Sequence, residues 1–225
     1  MKRTPYWELV GNLNYLAVAT HPDIAFTVRR LAFFLNCYCD EHWNAALHVL
    51  RYLKGTHSLS LVLGGSFLLS LSGYSDADYA NCHDTSRSIS RYCFSLSLGV
   101  ISWSSKKQKH TADLSCYAKY IALHHAGKKV IFLLSLLEGL GHMPVKKISL
   151  YCDNDTVRLL AKDHSHYANV KHIRVKYHTI CNIVEEGLAV LTCISSSNNV
   201  ADILTKPLAR ADFECLRLLL GLRFS

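Results

Sequence analysis

The chain has 225 residues, half of them hydrophobic, which excludes a disordered tail and allows one large domain or two small ones. Lysine and arginine number 25 against 17 acids, giving a formal net charge of +8 that favours a polyanionic partner, nucleic acid before membrane. The 9 cysteines include one C-x-C and no C-x-x-C pair; they read as buried thiols in a reducing compartment, so an intracellular protein, cytoplasmic or nuclear, is expected.

Behind Lys2 and Arg3, the residues Glu8, Gly11, Asn12 and Asn14 interrupt any signal-like apolar stretch. No run approaches the ~18 residues of a membrane span, and no membrane partner is expected. Residues 6 to 54 read as helices. Leu9, Leu13, Leu16 and Val18 form a first stripe, His21-Pro22-Asp23 breaks it, and Ile24, Val28, Leu31 and Phe34 or Leu35 begin a second. A third helix fits Glu41 to Lys54, with His42, Ala46, Val49, Leu50 and Leu53 on one face and Gly55 as its stop. From Ser58 to Ser104 the pattern is of strands: Leu59 to Leu63, a Gly64-Gly65 turn, Phe67 to Tyr74, Arg91 to Leu98, and Val100 to Trp103. A basic loop, Lys106-Lys107-Gln108-Lys109, leads to a helical stretch from Ser115 to Leu140, with a break expected near Gly127. Then come a strand Lys147 to Cys152, a helix Thr156 to Lys162, a helix Lys171 to Glu186, a strand Leu188 to Ile194, and a helical turn Ala201 to Thr205 closed by Pro207.

Within Leu71-Ser-Gly-Tyr-Ser-Asp-Ala-Asp-Tyr79, two carboxylates, Asp76 and Asp78, stand at i and i+2. On a strand they share a face, roughly 6 to 7 Å apart, and repel unless something positive sits there. A divalent cation is one candidate and a solvated strand end the other. Asp153 follows a strand that feeds a helix, a common position for ligand and metal groups in α/β sheets, although a turn residue with Asp155 as helix cap reads locally almost as well. The histidine pairs His124/His125, His164/His166 and His172/His178 make no recognised zinc set, and no G-x-S-x-G nucleophile elbow occurs.

Several long strings occur in one order along nearly the whole chain: Leu9-Val-Gly-Asn-Leu-Asn-Tyr-Leu16, His21-Pro-Asp-Ile24, Val49-Leu-Arg-Tyr-Leu-Lys-Gly-Thr56, Gly73-Tyr-Ser-Asp-Ala-Asp78, Ile101-Ser-Trp-Ser-Ser-Lys-Lys-Gln108, Tyr120-Ile-Ala-Leu123, Tyr151-Cys-Asp-Asn154, Lys171-His-Ile173 and Ala201-Asp-Ile-Leu-Thr-Lys-Pro-Leu208. Together they resemble the ribonuclease H domain, with the tail of the reverse transcriptase before it, of copia-type retrotransposon Pol polyproteins. The resemblance implies an α/β fold: a ribonuclease H-like mixed five-stranded sheet flanked by helices, preceded by a small helical segment. It divides the chain into 1–57 as the polymerase tail, 58–209 as the ribonuclease H-like domain and 210–225 as a C-terminal helical extension, the whole being a piece of a polyprotein. The implied partners are an RNA/DNA hybrid and the reverse transcriptase portion of the same polyprotein. The implied chemistry is hydrolysis of the RNA strand by two Mg2+ ions about 4 Å apart, held by four carboxylates. Three of these carry over by motif, as Asp76, Asp153 and Asp202.

The second acid does not carry over. Where the family usually reads Ser-Ser-Thr-Glu-Ala-Glu-Tyr-Ile-Ala-Leu, this chain has Leu114-Ser-Cys-Tyr-Ala-Lys-Tyr-Ile-Ala-Leu123, so the ligand glutamate becomes Tyr117 and the second glutamate Lys119. A phenol of pKa near 10 stays neutral at pH 7 and cannot bridge two magnesium ions, and Lys119 adds like charge. Asp113, four residues earlier, would stand about 6 Å away along a helix, too far to substitute. The family's Lys-Ser-Thr-Ser-Gly turn is also altered: Asn81-Cys-His-Asp-Thr-Ser-Arg-Ser-Ile-Ser-Arg91 keeps basic and hydroxyl groups able to meet phosphates but loses the glycine. The expectation is a catalytically impaired domain that still meets nucleic acid through Arg87, Arg91, Lys106, Lys107 and Lys109. Two alternatives stay open, an active two-metal hybrid nuclease and a non-catalytic binding or interaction fragment.

Overall fold

The computed structural model describes residues 5–64, 70–78, 88–108, 115–142, 147–152, 171–195 and 198–224, without the side chains of 115–117 and 171–177. Arg87, Lys109, Asp113, Asp153 and the helix expected at Thr156 to Lys162 therefore lie outside the described residues.

Three helices open the chain: α1 (Tyr6–Ala19), α2 (Ala25–Ala32) after a 3-10 turn at Pro22–Ile24, and α3 (Asp40–Gly55). They enclose a small core of their own, in which Tyr6, Val10, Leu13 and Ala17 of α1 meet Ile24, Val28, Leu31, Ala46 and Val49. The buried face of α1 is thus rotated from the expected leucine stripe, and Val18 is 69% exposed. Tyr6 takes the central place because its ring is apolar and its hydroxyl finds an acceptor, the Leu31 carbonyl oxygen, at 2.9 Å. Ala17 is small enough for its carbonyl to receive the Trp103 indole N–H at 2.8 Å, which ties the helical segment to the sheet.

That sheet contains β2 (Leu71–Asp78), β3 (Ile89–Leu96), β4 (Gly99–Lys107), β5 (Ile148–Cys152) and β6 (Ala189–Cys193), in the order β4-β3-β2-β5-β6, while β1 (Leu59–Leu61) lies outside it. β2, β3 and β4 are antiparallel neighbours; β5 runs parallel to β2 and β6 parallel to β5. This is the expected mixed five-stranded sheet flanked by helices. β4 is longer than its apolar pattern foretells, since the register with β3 continues to Ile89↔Lys107 and carries Lys106 and Lys107 on a strand instead of a loop.

α4 (Ser115–Gly139) covers one face, burying Leu123, Ala126, Val130, Leu133 and Leu137 on Leu71, Phe94, Ile148 and Leu150. It does not break at Gly127. A Cβ there would stand 2.6 Å from Ile180 Cδ1 and 2.9 Å from Ile183 Cδ1, so the glycine lets α5 (Lys171–Glu185) approach α4 closely. By length and composition Ala118–Gly139 is apolar enough to cross a membrane, contrary to the sequence expectation, but half of that segment is buried within the fold as its central helix.

On the opposite face, Cys93 and Val100 pack beneath a 3-10 turn at Val200–Leu204 and beneath α6 (Arg210–Leu219), which contributes Leu216. β1 pairs with β7 (Leu222–Phe224) in a separate antiparallel ribbon, so the expected helical C-terminal extension ends in a strand. Of the cysteines described, Cys93 and Cys152 are buried, Cys181 is half-buried, and Cys37, Cys39, Cys193 and Cys215 are exposed; the expectation of buried thiols holds for Cys93 and Cys152 alone.

Candidate carboxylate site

β2 alternates strictly: Leu71, Gly73, Ser75 and Ala77 are buried, and Ser72, Tyr74, Asp76 and Asp78 point the other way and are half-buried. Ala77, between the two acids, packs on Ala118 and Ala122, so the start of α4 is seated on that strand by small side chains. Gln108 fixes the same junction, its buried amide donating to Ser90 Oγ at 2.8 Å and to the Ala118 carbonyl at 2.9 Å. Tyr117 immediately precedes Ala118 on α4, and Lys119 follows it, half-buried.

Asp202 reaches the acid face of β2 on the Val200–Leu204 turn, and Asn199 holds that turn in place. The Asn199 side chain accepts from Ala201 N at 3.1 Å, capping the turn, and donates to the Ser75 carbonyl of β2 at 3.3 Å. The Asp202 carbonyl in turn accepts from Thr205 Oγ1 at 2.8 Å. The strand carrying Asp76 and the turn carrying Asp202 are thereby joined one residue away from Asp76.

Among the described residues, two cations occupy this neighbourhood. Lys206 Nζ lies 2.6 Å from Asp202 Oδ2, one helical turn further along the chain. Arg91 is the direct cross-strand partner of Asp76, is 1% exposed, and places a guanidinium nitrogen 3.7 Å from Asp78 Oδ2. Its Nε donates to Ser105 Oγ at 3.3 Å, and the guanidinium lies 5.9 Å from the Phe26 ring centroid of α2. Burial pulls the Arg91 pKa down to about 10, while the negative charges of Asp78, Asp76 and Asp202 pull it back up. The hydrogen bond to Asp202 raises the Lys206 pKa, and the charges of Asp76 and Asp78 add to it. Three carboxylates thus act on the same two cations.

The acids expected as metal ligands are brought together in part. Asp76 and Asp202 share this electrostatic neighbourhood, and Asp153, which follows the end of β5, lies outside the described residues. Among the described residues, no three His, Cys, Asp or Glu side chains are placed to hold a metal ion. With Asp202 engaged by Lys206 and Asp78 by Arg91, the described donor set does not fit the two Mg2+ ions that the resemblance implies.

The basic residues expected to meet nucleic acid separate. Lys106 is exposed on β4, and Lys107 is half-buried with its amino group 5.9 Å from the Phe33 ring centroid. Arg91 is buried and faces acids instead of solvent. Laid over Arg87-Ser88-Ile89-Ser90-Arg91, the pattern Lys-Ser-Thr-Ser-Gly puts its glycine at Arg91, in the body of β3 and opposite Asp76. Lys206, Asn199 and Gln108 were not singled out from sequence. The available signal was for Lys206, four residues after Asp202 in the same string, a spacing at which opposite charges meet on a helical turn.

No protein-family model matches the chain. It is 40% identical over 222 residues to the Retrovirus-related Pol polyprotein from transposon TNT 1-94 of Nicotiana tabacum, covering 99% of this chain and 17% of that protein. It is 39% identical over 215 residues to the Retrovirus-related Pol polyprotein from transposon RE2 of Arabidopsis thaliana, covering 94% of this chain and 14% of that protein. The chain therefore spans roughly a sixth of the length of these relatives. Among solved structures it is similar to RNase H1 from the halophilic archaeon Halobacterium salinarum, with a TM-score of 0.43 and 17% identity over 60% of this chain and 93% of that one.

Proposed function

We propose that the chain is the ribonuclease H-like portion of a copia-type retrotransposon Pol polyprotein, and that it binds RNA/DNA hybrid beside the polymerase portion of such a polyprotein while cutting the RNA strand weakly or not at all. The observation that carries this reading is the state of the acids: Asp202 is closed by Lys206 at 2.6 Å and Asp78 is faced by a buried guanidinium. Tyr117 in the position of the family glutamate supports it, because a neutral phenol supplies no charge to hold an ion. Binding does not need the ions. Phosphate contacts from Lys106 and Lys107, with Arg87 and Lys109 added from sequence, position a duplex electrostatically and without sequence preference.

The test is a cleavage and binding assay on a labelled RNA/DNA hybrid, in Mg2+ and in Mn2+, across a series of salt concentrations. The expected outcome is a weak, salt-sensitive affinity with no metal-dependent cleavage. Strong cleavage by the unaltered chain that disappears in Asp76→Asn and Asp153→Asn would overturn the impaired reading, and absence of affinity at low salt would overturn the binding one.

A further inference from the structure

Arg91 stands directly across the strands from Asp76, an acid that the resemblance names as a metal ligand. Its Cα is paired across the strands with that of Asp76, so both side chains leave the same face of the sheet. Its guanidinium lies 3.7 Å from Asp78, and Lys206 closes Asp202 at 2.6 Å. We propose that Arg91, with Lys206 beside it, has taken over the charge-neutralising place of the divalent ions, so that this site holds its acids together without metal and admits none.

This inference rests on the reading of the site as ribonuclease H-like, and its reason is geometric as well as electrostatic. Magnesium requires carboxylate oxygens at roughly 2.0 to 2.1 Å, so a bound ion would have to detach the acids from the cations already on them. The two cations are not equally able to yield. Lys206 is 51% exposed and can swing into water. Arg91 is 1% exposed, held on one side by Ser105 Oγ and on the other by the Phe26 ring, and a guanidinium does not lose its proton near neutral pH. Arg91 is therefore the residue that excludes the ion, and Lys206 only completes the neutralisation.

The probe is MnCl2 alone, read by thermal melting and by calorimetric titration, with no nucleic acid present. The wild-type chain is expected to melt at the same temperature in EDTA and in millimolar Mn2+. Arg91→Ala, which removes charge and bulk, and Arg91→Gln, which removes charge alone, are expected to melt lower in EDTA. With Mn2+ a hundredfold above its Kd they should then regain on the order of 5 °C or more. Adding Asp202→Asn to either variant should abolish that response. Lys206→Gln leaves the buried arginine in place and is expected to stay indifferent to Mn2+, which keeps the proposal testable if the Arg91 variants do not fold. A Mn2+ response in the wild type or in Lys206→Gln would overturn the proposal, as would folded Arg91 variants that ignore the ion or whose response survives Asp202→Asn. Because hybrid binding is measured separately, a wild-type chain that takes up Mn2+ yet does not cut overturns this inference alone, and one that ignores both Mn2+ and hybrid overturns only the binding function.

Discussion

Arg217 and Tyr52 lie 165 residues apart in sequence and meet at 3.2 Å, the guanidinium donating to the phenol oxygen. The same hydroxyl donates to Asp23 Oδ2 at 2.5 Å. Asp23 belongs to the turn before α2, Tyr52 to α3 and Arg217 to α6, so a buried acid, a phenol and a buried cation join the opening helices to the closing one. Two of the strings that carry the resemblance, His21-Pro-Asp-Ile24 and Val49-Leu-Arg-Tyr-Leu-Lys-Gly-Thr56, thereby gain a structural role distinct from the chemistry of the carboxylate site.

Replacing Arg217 by methionine leaves the Asp23 carboxylate buried without that cation, and removing one partner of a buried ionic group costs about 3–5 kcal/mol. Tyr52→Phe deletes a single hydroxyl from the chain of hydrogen bonds and should cost less, about 1–3 kcal/mol. Urea denaturation of both variants checks the order. A loss from Arg217→Met no larger than that from Tyr52→Phe would show that the guanidinium contributes little.

The triad also sets a pH dependence. Burial raises the Asp23 pKa above the ordinary carboxylate value, by more than the Tyr52 hydrogen bond and the charges of His21 and Arg217 lower it. Between the ordinary carboxylate pKa and the raised one, the folded chain holds more protons on this group than the unfolded chain does, so its contribution to stability falls as pH rises through that window. Asp23→Asn has no such titration. The stability of the wild type relative to Asp23→Asn should decline on going from acid pH through the window, as followed by denaturant melts at stepped pH. A difference that grows in favour of the wild type would show that the ionised form is the one the fold prefers.

Gly127→Ala sets helix propensity against packing. Alanine gains about 1 kcal/mol over glycine in a helix interior, but its methyl group would fall 2.6 Å from Ile180 Cδ1, and overpacking of this kind costs about 1–3 kcal/mol. A net loss of about 1 kcal/mol is expected, and trimming the neighbour in the double variant Gly127→Ala with Ile180→Val should recover part of it. Additive losses in that double-mutant cycle would mean that the α4–α5 contact is not what the glycine serves.

Asp76 and Asp202, which the structure brings into one neighbourhood, could be singled out because each sits in a short string whose order along the chain is itself informative, and the same strings show Tyr117 where the family has glutamate. Arg91 was legible only as a basic residue near a turn. What makes it matter is the register of β3 on β2, which places it opposite Asp76; register is set by pairing and burial along two strands and leaves no mark at one position. The second half of β4 escaped for a related reason: Ser104, Ser105, Lys106 and Lys107 have no apolar alternation, and the strand is extended past Trp103 by its ladder with β3. The face of α1 is rotated from its leucine stripe because a tyrosine with a buried acceptor and an alanine under an indole make the better contacts. Gly127 read as a helix breaker because a glycine's packing partner is invisible until the second helix is in place.

The ribbon of β1 and β7 bears on the order in which the molecule assembles. Its two strands come from opposite ends of the sheet-forming region, and its corner is a crowded crossing of main chains: a Cβ on Gly221, whose φ is +90°, would stand 2.6 Å from the Gly99 Cα, and one on Gly99 would stand 2.1 Å from the Val62 carbonyl oxygen. Such a crossing cannot close before the β3–β4 hairpin has presented Gly99, and closing it joins distant segments at a large cost in loop entropy. The ribbon is therefore expected to form after the transition state for folding. Substitutions in Leu222–Phe224 should accelerate unfolding and leave the refolding rate nearly unchanged.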